Sequence, residues 1–263
     1  MKSIIKIISL AAVIVVTIIA CDKNEINYGE FDKLTDGQSL IKFNFNAAYR
    51  ANPSYQIKIN GNRVSTLITA RYPYPGGGYN TGGDSRPDFL VVNPGTLDVS
   101  FTVPKKGTNI DSVVLFRTNV AVAAGKKYTL HVSDTTGGTS TTKSLLLEDD
   151  FLVPDTGFCK FKFVHLMPNV GPLDLYNGTT LIKSNIAYLG SSEYFTLPTG
   201  TPTATSWTIR AAGSAPTSTA IATYTSASTI LNQRIYTVFA TGYSGITGTT
   251  DVRRPFVSFF LVR

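Results

Sequence analysis

The chain is short of the residues that most protein chemistry needs. Its 263 residues include two cysteines, two histidines and one tryptophan, and only 16% are charged. Soluble domains usually carry about 25% charged residues, so Ser, Thr, Asn and Gly must cover much of this surface, as is common in secreted β proteins. The thiols are Cys21 and Cys159. Once Cys21 is given to a lipid, as argued below, no internal disulfide is possible and a small stapled scaffold is excluded. Cys159 lies in an apolar run over residues 158–164 and reads as a small buried hydrophobe rather than a nucleophile. A zinc site wants three or four ligands in closed geometry, which His131, His165 and one spare thiol do not supply. His165 is expected to bond Asp174 across neighbouring strands as a structural pair, since no serine sits in a nucleophile-elbow context. Glu148-Asp149-Asp150 lacks the spacing of a calcium loop and reads as a solvated linker. Gly76-Gly77-Gly78 opens no helix and is followed by no Lys-Ser/Thr pair, so it is no phosphate cradle. No constellation points to an enzyme, a metal or a cofactor.

Charge of one sign is also sparse in space. The net charge is +7, yet the basic residues cluster only as Lys105-Lys106, Lys126-Lys127 and Arg253-Arg254. That scatter excludes a nucleic-acid surface. There is no apolar stripe at 3.6-residue spacing, hence no long helix. The sole long hydrophobic run, residues 7–20, is too short to cross a hydrocarbon core of about 30 Å comfortably.

That run is the first thing present. Lys2 and Lys6 precede it and Ile18-Ile19-Ala20-Cys21 ends it, the basic and apolar regions of a secretory signal. A small residue immediately before a cysteine resembles the bacterial lipobox. The reading is a signal peptide over residues 1–20, with Cys21 acylated (palmitate included) and the chain tethered to a membrane. The mature chain then carries 22 basic and 17 acidic side chains, or +5. Residues 21–38 read as a lipidated flexible tether spanning up to roughly 50 Å when extended. Asp22, Lys23 and Glu25 resemble the acidic sorting signals of some Gram-negative lipoproteins. They imply an outer-membrane, surface-exposed address.

From Ser39 onward the pattern is β. Residues 41–45 and 55–59 alternate apolar with polar, as half-buried strands do. Asn60-Gly61 is a type I′ hairpin signal, with a returning strand over 64–68. Further strands read over 89–92, 97–103, 110–116, 127–132 and 144–147. The second half then repeats the first in order. Lys42-Phe43-Asn44-Phe45 matches Lys160-Phe161-Lys162-Phe163, and Ile59-Asn60-Gly61 matches Tyr176-Asn177-Gly178. Residues 89–95 match 194–200, and 127–130 match 235–238. The fold class is therefore all-β: two tandem antiparallel β-sandwiches, residues 39–150 and 151–263, joined through 148–157. Asn177-Gly178-Thr179 is read as a hairpin turn rather than a glycosylation site, and Trp207 as core rather than a sugar platform.

The copies differ after the first hairpin. Residues 71–84 of the first copy are a Tyr/Gly-rich insertion where the second has only 187–192. Such a loop is either idle or a recognition surface, because tyrosine offers a rigid amphipathic face at low entropic cost. Tyr72, Tyr74 and Tyr79 are the candidate ligand-binding residues.

The second copy carries a run of recognisable words: Phe163-Val164-His165, Pro168, Leu173-Asp174-Leu175-Tyr176, Asn177-Gly178, Asn185-Ile186-Ala187-Tyr188 and Leu197-Pro198-Thr199-Gly200. In this order they resemble the bacterial envelope domain of unknown function DUF4397, often found in tandem and in lipoproteins. The first copy departs from it, with Ala47 about where His165 stands and Ile57 where Asp174 stands. The resemblance implies Ig-like sandwiches and an envelope role, and it brings no catalytic residues. The expected function is non-enzymatic: binding of glycan or of a surface protein by a lipid-anchored module. The alternative is a structural or pilus-like assembly subunit that pairs through an exposed strand edge.

Overall fold

Alternation of apolar and polar residues builds two copies of one arrangement of strands. The computed structural model describes residues 37–47, 49–76, 78–79, 87–134, 143–149, 152–199, 206–225 and 230–263. The expected signal peptide, Cys21 and all but the end of the expected tether lie outside them.

In the first copy one sheet holds β1 (Ser39–Phe45), β5 (Leu90–Val92), β8 (Lys127–Val132) and β9 (Ser144–Glu148), in the order β5-β1-β8-β9. The other holds β2 (Gln56–Ile59), β3 (Asn62–Arg63), β6 (Gly95–Pro104) and β7 (Asp111–Val122), in the order β3-β2-β6-β7. The second copy repeats both. Strands β10 (Phe158–Leu166), β13 (Phe195–Pro198), β16 (Ile235–Thr241) and β17 (Phe256–Leu261) run β13-β10-β16-β17. Strands β11 (Leu173–Asn177), β12 (Thr180–Ile186), β14 (Ser206–Ala211) and β15 (Ala222–Thr225) run β12-β11-β14-β15. The ladders are antiparallel except β1 with β8 and β10 with β16, which are parallel in both copies. A remaining two-residue strand, β4 (Gly78–Tyr79), belongs to the first copy in sequence but pairs with β17 of the second.

Each copy closes over its own core. Phe43, Phe45, Tyr55, Ile57 and Phe101 fill the first, with Phe45 and Phe101 stacked at 4.6 Å. Trp207 fills the second between Phe161 and Phe259, at 5.0 and 5.3 Å. Asn60 and Gly61 take the left-handed φ values, 50° and 80°, that a type I′ turn demands. The returning strand is shorter than the sequence suggests. Only Asn62–Arg63 is regular, after which Ser65 accepts the Ile57 N–H through its hydroxyl.

The ladders correct two of the sequence matches. Ile41 pairs with Tyr128 and Phe161 pairs with Tyr236, so the repeat equates Ile41 with Phe161 and Lys42 with Lys162, two residues from the match to Lys160. Likewise Ile59 pairs with Asn62 and Asn177 with Thr180 across two-residue turns, which equates Ile59 with Asn177 and, three residues earlier, Gln56 with Asp174. The second hairpin turns at Gly178-Thr179, and Asn177 is the last residue of its strand.

A third apolar layer joins the copies. Val164, Leu166, Ile235, Phe239, Phe260 and Val262 are buried, with half-buried Phe89, Leu145 and Leu147 of the first copy packed against them. Thr35–Arg263 accordingly forms one compact unit. This layer overturns the half-buried reading of β1. Lys42, Asn44 and Asn46 belong to its polar alternation, yet all are 0–1% exposed because the second copy covers them. The Lys42 Nζ donates to the Leu261 carbonyl at 3.0 Å and lies 4.7 Å from the centre of the Phe89 ring. Burial pulls its pKa down to about 8.

Candidate recognition site

The insertion after the first hairpin is tied into both copies. Tyr74 exchanges two backbone hydrogen bonds with Phe43, at 2.8 and 2.9 Å, and its hydroxyl donates to the Val64 carbonyl. Tyr72 and Tyr74 are half-buried, packed against the first core. The chain then reaches across so that Gly78 and Tyr79 pair with Phe260 and Phe259. The side chain of Tyr79 and residues 80–86 lie outside the described residues. The structure thus places two of the three candidate tyrosines on the wall of the first sandwich and the third in a strand added to the second.

The residue that opens this loop lies in the insertion read from the sequence but is not one of its candidate contacts. Arg71 has a left-handed φ of 67°, unusual for a side chain of its size, and its N–H is held by the Phe45 carbonyl at 2.8 Å. From there its guanidinium lies 3.9 Å from the centre of the Phe256 ring, and that of Arg254 lies 4.4 Å from the same ring. Such cation–π contacts contribute about 0.5–2 kcal/mol each. Burial, with Arg254 as a like-charged neighbour, lowers the Arg71 pKa to about 10. The acid facing them, Asp251, is already engaged by Arg253, whose Nε and Nη2 donate to its two oxygens at 3.0 and 2.8 Å. That pairing holds the Asp251 carboxyl at about 2.

A backbone contact fixes the same corner. The Tyr243 N–H donates to the Arg253 carbonyl at 2.7 Å, folding the β16–β17 connection back on itself. Gly242 sits under that fold with φ 91°, where a Cβ would lie 2.1 Å from the Arg254 oxygen. Asn169 and Ser244 then exchange two hydrogen bonds, at 2.9 and 3.0 Å, anchoring the connection to the turn before β11.

Most of the other residues singled out by the sequence are enclosed within the fold. His165 accepts the Met167 N–H at Nδ1 (3.1 Å), so its Nε2 donates to the Gly171 carbonyl (3.0 Å). Asp174, on the opposite sheet, accepts instead from the Asn185 and Gly213 N–H groups, at 2.8 and 2.9 Å. The expected His165–Asp174 pair is therefore absent. His131 is fully buried between the copies, its Nδ1 3.0 Å from the Asn44 amide nitrogen. Burial, then Lys162, pulls its pKa down to about 3. Asp149 corrects the solvated-linker reading: it is buried, bonded by the Thr129 hydroxyl at 2.6 Å, and burial raises its pKa to about 6. Asp150 lies outside the described residues. The buried Cys159 thiol is pushed up to about 12, and Trp207 is wholly enclosed in the second core. Among the described residues no group of His, Cys, Asp and Glu is placed to hold a metal.

No curated protein matches the chain. The family model described as domain of unknown function DUF4397 matches residues 45–176 and again 160–254. Those two stretches run through both sandwiches, whose strand orders are identical. The chain belongs to the DUF4397 family, with the domain present in tandem.

Proposed function

We propose that this is a lipid-anchored protein of the bacterial cell envelope, held at Cys21 and exposed at the outer surface, that binds glycan or protein without catalysing a reaction. The observation that carries the binding reading is the junction at Arg71. There a loop carried by one copy alone crosses to the other, and two guanidiniums share one ring. Arginine and aromatic residues at a fixed corner are the composition of binding hot spots. Tyr72 and Tyr74 support the loop from beneath, and Tyr79 adds its strand to β17. The anchor rests on the leader alone. Mass spectrometry of the protein from envelope membranes should find a chain starting at an acylated Cys21, and Cys21→Ser should release it to the soluble fraction. An uncleaved, unmodified amino terminus would refute the anchor. Binding is tested by applying the protein to glycan and peptide arrays, where retention on neither would refute it.

A second reading, an assembly subunit, draws on β7. This strand is 12 residues long, stands at the edge of its sheet, and exposes Val113 and Val114 by 52% and 54%. Long, apolar edges pair readily with another chain. Native sizing separates the two readings, since a strict monomer at high concentration counts against assembly.

A further inference from the structure

The described surface gathers positive charge at one corner without answering it. Arg71, Arg253 and Arg254 meet there, Arg50 is near enough to act on Asp251, and Asp251 is the carboxylate that acts on Arg71. Arg253 occupies that carboxylate at both oxygens. The guanidiniums of Arg71 and Arg254 rest on Phe256 with no acid bonded to either among the described residues, and Arg71 holds a strained backbone angle there. Strain of this kind collects at functional positions. Two like charges drawn onto one ring repel, and an incoming anion would relieve that repulsion while accepting from planar donor forks.

Beside Arg254 opens a cleft of 510 Å³. The hydroxyl side chains of Thr219, Ser244 and Thr247 line it, and no acidic side chain does. That volume suits a small ligand or part of a polymer, and the hydroxyls suit partners that exchange hydrogen bonds as sugars do.

We propose that Arg71 and Arg254 form an anion site for the carboxylate or sulfate of an acidic glycan, whose sugar body lies in the adjoining cleft. This rests on the recognition reading above and gives it a ligand class. Arg71 enters from the loop of the first copy and Arg254 from the last connection of the second, so the site exists only where the two copies meet.

The test uses the full-length protein, purified in detergent, titrated at about 150 mM salt with polygalacturonate, dextran sulfate, neutral dextran and poly-glutamate. It should bind the two acidic glycans and neither dextran nor poly-glutamate. The double variant R71Q/R254Q should bind them more weakly by roughly 100-fold or more, the loss expected for two charge-assisted contacts. R71K/R254K, which keeps charge but loses the fork, should fall between. K105Q/K106Q, on the β6–β7 turn, should bind as the wild type does. Should R71Q/R254Q misfold, phenylglyoxal labelling of the wild type read by mass spectrometry replaces it, and polygalacturonate should shield Arg71 and Arg254. Unchanged affinity in R71Q/R254Q, an equal loss in K105Q/K106Q, no shielding, or poly-glutamate bound as tightly as the glycans would each overturn the site. Retention of a neutral glycan alone would overturn it too while leaving the recognition reading standing, whereas an empty array would remove both.

Discussion

At the scale of single residues, space and backbone angle can be separated at two glycines. Gly242 and Gly213 both hold left-handed φ values, 91° and 77°. A Cβ at Gly213 would meet nothing within 4 Å, whereas one at Gly242 would strike the Arg254 carbonyl. Gly213→Ala should therefore cost about 1 kcal/mol from the angle alone. Gly242→Ala should cost roughly 3 kcal/mol or more, because backbone must move as well. Urea unfolding of the two variants checks this, and equal losses would show that the Gly242 corner yields. Tyr74 offers a milder case. Its hydroxyl bonds the Val64 carbonyl, so Tyr74→Phe should lower stability by about 1 kcal/mol in the same experiment. Nothing in a Tyr/Gly-rich stretch announces that its tyrosines are wall rather than shelf. Likewise Arg71 is legible as a charge, and only the fold places it on a phenylalanine 185 positions away in the chain.

At the scale of elements, most strands could be read because their faces alternate with period two. The same period hides a slip of two. Moving Lys42 from Lys162 to Lys160 leaves every apolar residue facing inward, so composition cannot detect the error and only the parallel ladders do. The strand β4 was beyond reach for another reason. Two residues amid glycines carry no periodicity, and its partner β17 lies in the other copy. Its consequence is testable. Deleting residues 77–82 should uncover the backbone of Phe259 and Phe260, leaving β17 at the edge of its sheet as β9 is in the first copy. An uncovered edge invites pairing. Sedimentation velocity should show concentration-dependent self-association in the deletion variant and less in the parent, and a deletion variant that stays monomeric would show the edge to be harmless.

At the scale of the whole molecule, the seam between the copies decides how the protein answers acid. From sequence its polar members read as alternate positions of half-buried strands and, at Asp149, as a solvated linker, since nothing in one copy says that the other will cover it. Burial then shifts two of them in opposite senses. His131 falls from 6.5 to about 3, so its neutral form supports the fold above pH 6.5 and that support is lost as pH falls toward 3. Asp149 rises from 3.8 to about 6, so its protonated form supports the fold below pH 3.8 and that support is lost as pH rises through 6. Each changes stability by about 1.4 kcal/mol per pH unit within its window. Between pH 6 and 4 the two slopes oppose and nearly cancel, while below 4 only His131 still acts. Lys42, with its pKa near 8, stays charged throughout this range and adds no slope. Comparing variants removes the contribution of the surface carboxylates, which all share. Relative to the wild type, His131→Gln should therefore gain stability on acidification from pH 6 to 4, and Asp149→Asn should lose it over the same interval. Urea midpoints at pH 6, 5 and 4 give both slopes. If the two variants track the wild type in parallel, neither group is as deeply enclosed as the seam requires, and the copies part more readily than their packing indicates.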